Sequence, residues 1–128
     1  MTSSPVRLAL RQRLTTALRE RDKPIAAAMR SAIAALENAE AVPASPGLGA
    51  STSRHVAGAA MGVGAAEAER LSLDEATESA VLRAEVDGLL EAAREYESLG
   101  HGGRAAEART AADELSVVVH SALGTTWG

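Results

Sequence analysis

Four stretches of this chain place apolar residues alternately four and three positions apart, a spacing that keeps them on one face of an α-helix. Most of these residues are small, since the 128 residues include 29 alanines, one Trp, one Tyr and no Phe. A core without aromatic bulk has to form by close approach of helix backbones. The sequence therefore predicts an all-α protein, and its length fits one domain.

The first two predicted helices form an N-terminal pair over residues 1–40. The first runs from about Pro5 to Asp22, with Ser4 as its N-cap and proline in the first turn, where a missing N–H costs nothing. The second begins at Pro24, because a proline inside a helix would remove a hydrogen bond, and it ends near Glu40. Their apolar seams are Leu10, Leu14, Ala17 and Leu18, and Ile25, Met29, Ala32, Leu36 and Ala39.

The last two predicted helices form a C-terminal hairpin over residues 71–124. The sequence Ser72-Leu73-Asp74-Glu75 matches a capping box, which predicts Ser72 as the N-cap of the third helix. Gly100 is suited to the left-handed C-terminal position of that helix, and Gly124 to the same position after the fourth. Their seams are Leu82, Val86, Leu89, Ala93 and Tyr96, and Ala108, Ala112, Leu115, Val119 and Ala122.

Residues 41–70 separate the two pairs and are dominated by Ala, Gly, Pro and Ser. They contain too little apolar bulk to offset the entropy of ordering, so we expect a flexible crossover, with residues 55–70 either irregular or weakly helical. The predicted architecture is a four-helix assembly built from two antiparallel helix pairs.

Several classes of site are excluded or disfavoured by the residues. The chain has no cysteine, which excludes disulfides and thiolate chemistry, and it has no apolar run long enough to cross a membrane, so we expect a cytoplasmic protein. His55, His101 and His120 lie in three separate segments, and Gly58-x-x-x-Gly62-x-Gly64 lacks the Lys-Ser/Thr of a phosphate loop. We therefore predict no catalytic residue, no metal site and no cofactor.

Charge is distributed unevenly along the chain. Residues 1–40 carry seven basic and four acidic side chains, whereas residues 41–128 carry six basic and thirteen acidic ones. Arginines on the outer face of a helix pair can contact RNA phosphates, but they can also offset an acidic surface, and we favour the third helix as that surface, through Asp87, Glu91 and Glu95. The candidate RNA-binding residues are Arg11, Arg13, Arg19, Arg21, Lys23 and Arg30.

The helical segments contain a diffuse pattern of familiar residues in order and at matching spacing. These are Leu14, Ala17, Arg21-Asp22-Lys23, Met29-Arg30, Ile33, Asn38 and Glu40, then Tyr96, Gly100, Arg104, Glu107 and Glu114-Leu115. Over about three quarters of its length the chain thereby resembles the GatB/YqeY family, small helical proteins similar to the tail of the GatB subunit of tRNA-dependent amidotransferase. It departs from the family at the inserted residues 41–70 and at residues 120–128, where the family continues into a C-terminal helical domain.

The resemblance implies a non-catalytic accessory module that contacts tRNA or an amidotransferase-type protein partner. It also carries the family label of a carbon–nitrogen ligase with glutamine as amide donor, although no residue here supplies an amidase nucleophile. The alternative is a helical module for protein–protein interaction or self-association with no role in RNA binding. A salt-dependent affinity distinguishes an RNA partner from apolar docking.

Overall fold

The computed structural model describes residues 4–41 and 73–124, and every regular element in these two ranges is an α-helix. The helices are α1 (Pro5–Glu20), α2 (Lys23–Ala41), α3 (Glu75–Ser98) and α4 (Gly102–Leu123). The predicted all-α class is confirmed. The predicted crossover lies outside the described residues except for Ala41, the last residue of α2.

The turn between α1 and α2 consists of Arg21 and Asp22 alone. Helix α1 ends before the predicted Asp22 because Arg21 adopts the left-handed conformation, with φ at 60°. The N–H of Asp22 donates to the carbonyl of Ala17 over 2.8 Å, and the N–H of Arg21 donates to Leu18 over 3.2 Å, as in a Schellman motif. The Asp22 carboxylate accepts from the N–H of Ile25 over 3.3 Å. Asp22 therefore closes the end of α1 through its N–H and caps the start of α2 through its side chain.

The predicted caps of the other helices are partly confirmed. The Ser4 hydroxyl accepts from the N–H of Arg7 over 3.3 Å, as expected. The capping box at Ser72 was wrong, because Asp74 is the N-cap of α3 and accepts from the N–H of Thr77 over 2.8 Å. Asp caps a helix as well as Ser does, and the chain reaches helical geometry only after it. Gly100 and Gly124 both have positive φ, 81° and 66°, as predicted for residues that follow a helix.

Each helix pair is antiparallel, and the two pairs pack into one bundle. Helix α1 packs against α2 and α4, and α3 packs against α2 and α4, while α1 and α3 do not touch. The core therefore lies between the two hairpins. Its largest fully buried side chains are Leu10, Met29, Leu36, Leu82, Leu115, Val6 and Val119.

Seven predicted seam residues lie at the edge of this core or outside it: Leu18 is exposed, and Leu14, Ala39, Leu89, Tyr96, Ala108 and Ala122 are partly buried. Leu89 is only partly buried against the core cluster. Leu18 is 49% exposed, because the buried side of α1 is centred on Val6, Leu10 and Ala17, and Leu18 lies about 100° around the helix from Ala17. Its exposed side chain lines a groove at the α1–α2 turn.

Candidate anion-binding groove

The structure separates the predicted basic residues into two sets with different surroundings. Arg11 and Arg13, in the first half of α1, form ion pairs with acidic residues of neighbouring helices. Arg21, Lys23 and Arg30 line a single groove at the α1–α2 turn. Arg19, in the last turn of α1, is exposed and does not line that groove.

The ion pairs of α1 fix how it lies against α2. Arg7 Nη2 lies 2.7 Å from Glu40 Oε2, and one helical turn further along, Arg11 Nη2 lies 3.7 Å from Glu37 Oε2. The partner number falls as the arginine number rises, which is the register of an antiparallel pair. The Arg7 pair is the more buried, with side chains 11% and 24% exposed, so solvent screens it less.

Arg13 joins α1 to α4 instead of to the third helix. Its Nε donates to Glu114 Oε1 over 3.0 Å, and its Nη1 is buried without a hydrogen-bond partner among the described residues. The prediction that the acidic residues of α3 offset the arginines of α1 is therefore wrong. Because α1 and α3 do not touch, the counter-charges come from α2 and α4.

The groove at the α1–α2 turn has a volume of about 650 Å³, and its lining comes only from α1, the turn and α2. Arg21 stands on the turn, Lys23 is the first residue of α2, and Arg30 follows two turns later on the same helix. All three side chains are exposed, and no ion pair within the described residues involves them. The tight turn thus brings together three cations that nothing in the described part of the chain neutralises.

The floor of this groove is apolar. Leu18 lies at one side and Ala27 at the other, both exposed, while Ala17 and Ala26 are buried beneath them. Asp22 is the one acidic residue of the lining, and its carboxylate is held as the N-cap of α2. The groove therefore combines a small apolar surface with a cationic rim.

A second groove of about 420 Å³ continues along the same side of the α1–α2 pair. Arg30 lines both grooves, so the two grooves adjoin at this residue. The second groove contains Glu37 and Arg11, which already form an ion pair, together with the partly buried Leu14 and Ile33. Unneutralised positive charge is therefore concentrated at the turn rather than along the whole pair.

The other candidate groups remain apart. His101 lies edge-on to Tyr96 at the α3–α4 turn, with ring centroids 6.3 Å apart, and His120 is in the last turn of α4. His55 and the three glycines of residues 58–64 lie outside the described residues. Within residues 4–41 and 73–124, no group of three or more His, Asp or Glu residues is placed to hold a metal ion.

The acidic run on α3 is a surface feature. Asp87, Glu91 and Glu95 are all exposed, and Glu91 pairs with Arg94 one turn later, at 3.5 Å. Such exposed pairs contribute about 0 to 1 kcal/mol each. Among the helices that the structure describes, none is long and apolar enough to cross a membrane.

Sequence reasoning identified the cations of the groove but missed its floor. Leu18 fits the apolar spacing of α1, and that spacing alone places it in the core. The signal that could have placed it outside the core is its angular position, since Leu18 lies about 100° around α1 from the completely buried Ala17. No protein-family model, curated protein or solved structure matches the chain.

Proposed function

We propose that this protein is a non-catalytic accessory module of the GatB/YqeY type that contacts the phosphate backbone of tRNA through the end of its N-terminal helix pair. The observation that carries the proposal is the convergence of Arg21, Lys23 and Arg30 on one groove, without ion pairs in the described residues. Cations that remain unneutralised within a fold are available to an external anion. A tRNA partner implies a cytoplasmic location.

The net charge of the protein limits how it can bind RNA. The bundle as a whole is acidic, with a net charge of -4, so a general attraction to nucleic acid is not expected. Binding must instead be local and weak at high salt. A patch of three cations releases about three counterions from single-stranded RNA, which corresponds to a log–log salt slope of about -2.

The amide chemistry of the family label belongs, in this proposal, to partner subunits. The Ser31 hydroxyl donates to Glu85 Oε1 over 2.8 Å, but this contact is exposed on the surface and does not lie in a water-excluded site. The histidines of α4 and of the α3–α4 turn lie in different parts of the bundle. What this chain contributes is a surface that holds or positions RNA.

The test measures the affinity of tRNA by fluorescence anisotropy across a range of salt concentrations. Two double variants carry the same change in net charge. Lys23→Gln with Arg30→Gln removes two cations of the groove, and Arg83→Gln with Arg104→Gln removes two exposed cations of α3 and α4. We expect the groove variant to reduce the magnitude of the salt slope by about 1.4, which is about 0.7 for each cation removed, and the control to leave it unchanged.

Equal losses of tRNA affinity in the two double variants would refute a local site, because that result means that binding depends only on the net charge of the protein. Wild-type protein that retains no tRNA at low salt would refute the proposal outright. Circular dichroism of both variants, which we expect to match the wild type, separates a loss of contact from a loss of fold.

A module for self-association or protein docking is the second candidate, and the exposed large apolar side chains favour it. Leu8, Leu18, Leu99 and Val117 are 51%, 49%, 67% and 61% exposed. Apolar docking depends little on salt, and sedimentation velocity at several protein concentrations measures self-association directly. A concentration-dependent dimer that forms equally at low and high salt supports this candidate.

A further inference from the structure

The groove at the α1–α2 turn is more than a patch of positive charge. Leu18 remains half exposed at its floor, beside Ala27, while Arg21, Lys23 and Arg30 stand around it. A free phosphate or a regular duplex would contact the cations and leave the leucine in water. A ligand that covers both parts of the lining must carry an apolar face and a negative charge close together.

We propose that the groove holds one unpaired nucleotide of the bound RNA, with its base against Leu18 and Ala27 and its flanking phosphates on the three cations. This inference rests on the proposed function and narrows it from tRNA in general to a loop, bulge or end. Bases in a duplex are stacked and hide their faces, whereas unpaired bases are free to lie against a protein surface.

The size and shape of the groove fit this occupant. Its volume of about 650 Å³ lies within the range of about 300 to 1,000 Å³ that is typical of small-molecule sites. An amphipathic helix would need a longer apolar trough than one leucine and the neighbouring alanines provide. Extending along the α1–α2 pair, such a helix would also meet Arg30, which lines both grooves.

The identity of the cations also favours a base. Arg21 and Arg30 have planar guanidinium groups, which stack on nucleotide bases as well as pairing with phosphate, whereas Lys23 is a point charge. The described residues offer no aromatic ring at the groove, because Tyr96 lies at the α3–α4 turn. Stacking in the groove would therefore depend on the arginines.

The test compares a fluorescein-labelled single-stranded oligouridine of about 12 nucleotides with an RNA duplex of the same length, by anisotropy. Leu18→Ser removes the apolar floor, and Leu8→Ser is its matched control, since Leu8 is equally exposed on α1 but does not line the groove. Arg30→Lys keeps the positive charge but removes the planar guanidinium group, and Lys23→Gln removes a positive charge.

We expect wild-type protein to bind the single strand more tightly than the duplex. Leu18→Ser and Arg30→Lys should each weaken single-strand binding by about fivefold, leaving duplex binding and the salt slope unchanged, while Leu8→Ser binds like the wild type. Lys23→Gln should weaken both RNAs. Thermal midpoints of all four variants, measured first, confirm that each remains folded.

Three results would overturn the inference and leave the proposed function standing, provided that Lys23→Gln weakens RNA binding. They are equal affinity for single strand and duplex, equal effects of Leu18→Ser and Leu8→Ser, and displacement of the oligouridine by polyglutamate as effective as displacement by unlabelled RNA. If wild-type protein binds neither RNA, the proposed function itself fails.

Discussion

Arg13 of α1 and Glu114 of α4 form an ion pair that joins the N-terminal hairpin to the C-terminal hairpin, with Nε and Oε1 3.0 Å apart. Their side chains are 23% and 38% exposed, so the pair lies at the margin of the core. It shows that part of the positive charge of α1 is committed to holding the bundle together. The cations of the α1–α2 turn, Arg21, Lys23 and Arg30, form no ion pair in the described residues and are available to bind another group.

Charge reversal at Arg13 should destabilise the fold. Arg13→Glu removes the bond to Glu114 and places two carboxylates together, at a cost of about 1 to 2 kcal/mol in the free energy of unfolding. Arg19→Glu, on the exposed face of α1, should cost less than about 1 kcal/mol, through the helix dipole alone. Urea denaturation measures both.

Exchanging the two charges tests more directly whether this ion pair couples the hairpins. Arg13→Glu combined with Glu114→Arg should recover most of the lost stability, because the attraction is restored with its direction reversed. If the swap is as unstable as Arg13→Glu alone, the pair does not couple the hairpins.

Burial of the core leucines predicts an order of mutational cost. Leu115 is completely buried at the centre of α4, and Leu115→Ala should cost about 2 to 5 kcal/mol through lost contacts and a residual cavity. Leu89 lies at the edge of the core, so Leu89→Ala should cost clearly less. Thermal unfolding of the two variants tests the order, and equal shifts of the midpoint would contradict it.

The sequence predicted the helices and most of the core because both depend on local spacing. Met29, Leu36, Leu82 and Leu115 recur at helical intervals, and whichever hairpin packed against them would bury them. The choice between Ser72 and Asp74 as the N-cap of α3 could not be made in this way, since both residue types satisfy overlapping cap patterns.

The candidate site depends more than the helices do on contacts between residues that are far apart in the sequence. The partner of Arg13 could not be predicted, because the sequence does not reveal that α1 lies beside α4 and away from α3. Arg21 and Arg30 are nine positions apart, and only the tight turn after α1 returns the chain so that both line one groove. Leu18 fits the apolar spacing of α1, and only the packing of the hairpins shows that the buried side of this helix is centred on Val6, Leu10 and Ala17 instead.

The N-cap of α3 predicts a change of stability at low pH. Hydrogen bonds from the side chain and backbone of Thr77 lower the pKa of the Asp74 carboxyl below its ordinary value of 3.8. A carboxyl with a lowered pKa in the folded state contributes stability that is fully present above its unfolded pKa and lost as the pH falls through the folded one. We expect Asp74→Asn, which keeps a capping oxygen, to show a weaker loss of stability below about pH 4 than the wild type. Identical pH profiles would contradict this assignment.

The left-handed Arg21 predicts that stability and RNA binding respond in opposite directions to one substitution. A non-glycine residue at φ 60° is strained, so Arg21→Gly should raise the free energy of unfolding by up to about 1 kcal/mol. The same change two residues earlier, Arg19→Gly, falls within helical geometry and should lower it by about 1 kcal/mol. Arg21→Gly also removes a cation of the groove, so we expect this more stable variant to bind tRNA less tightly than the wild type. Denaturation and anisotropy on the same sample measure the two effects, and a more stable variant with undiminished affinity would show that Arg21 contributes nothing to the site.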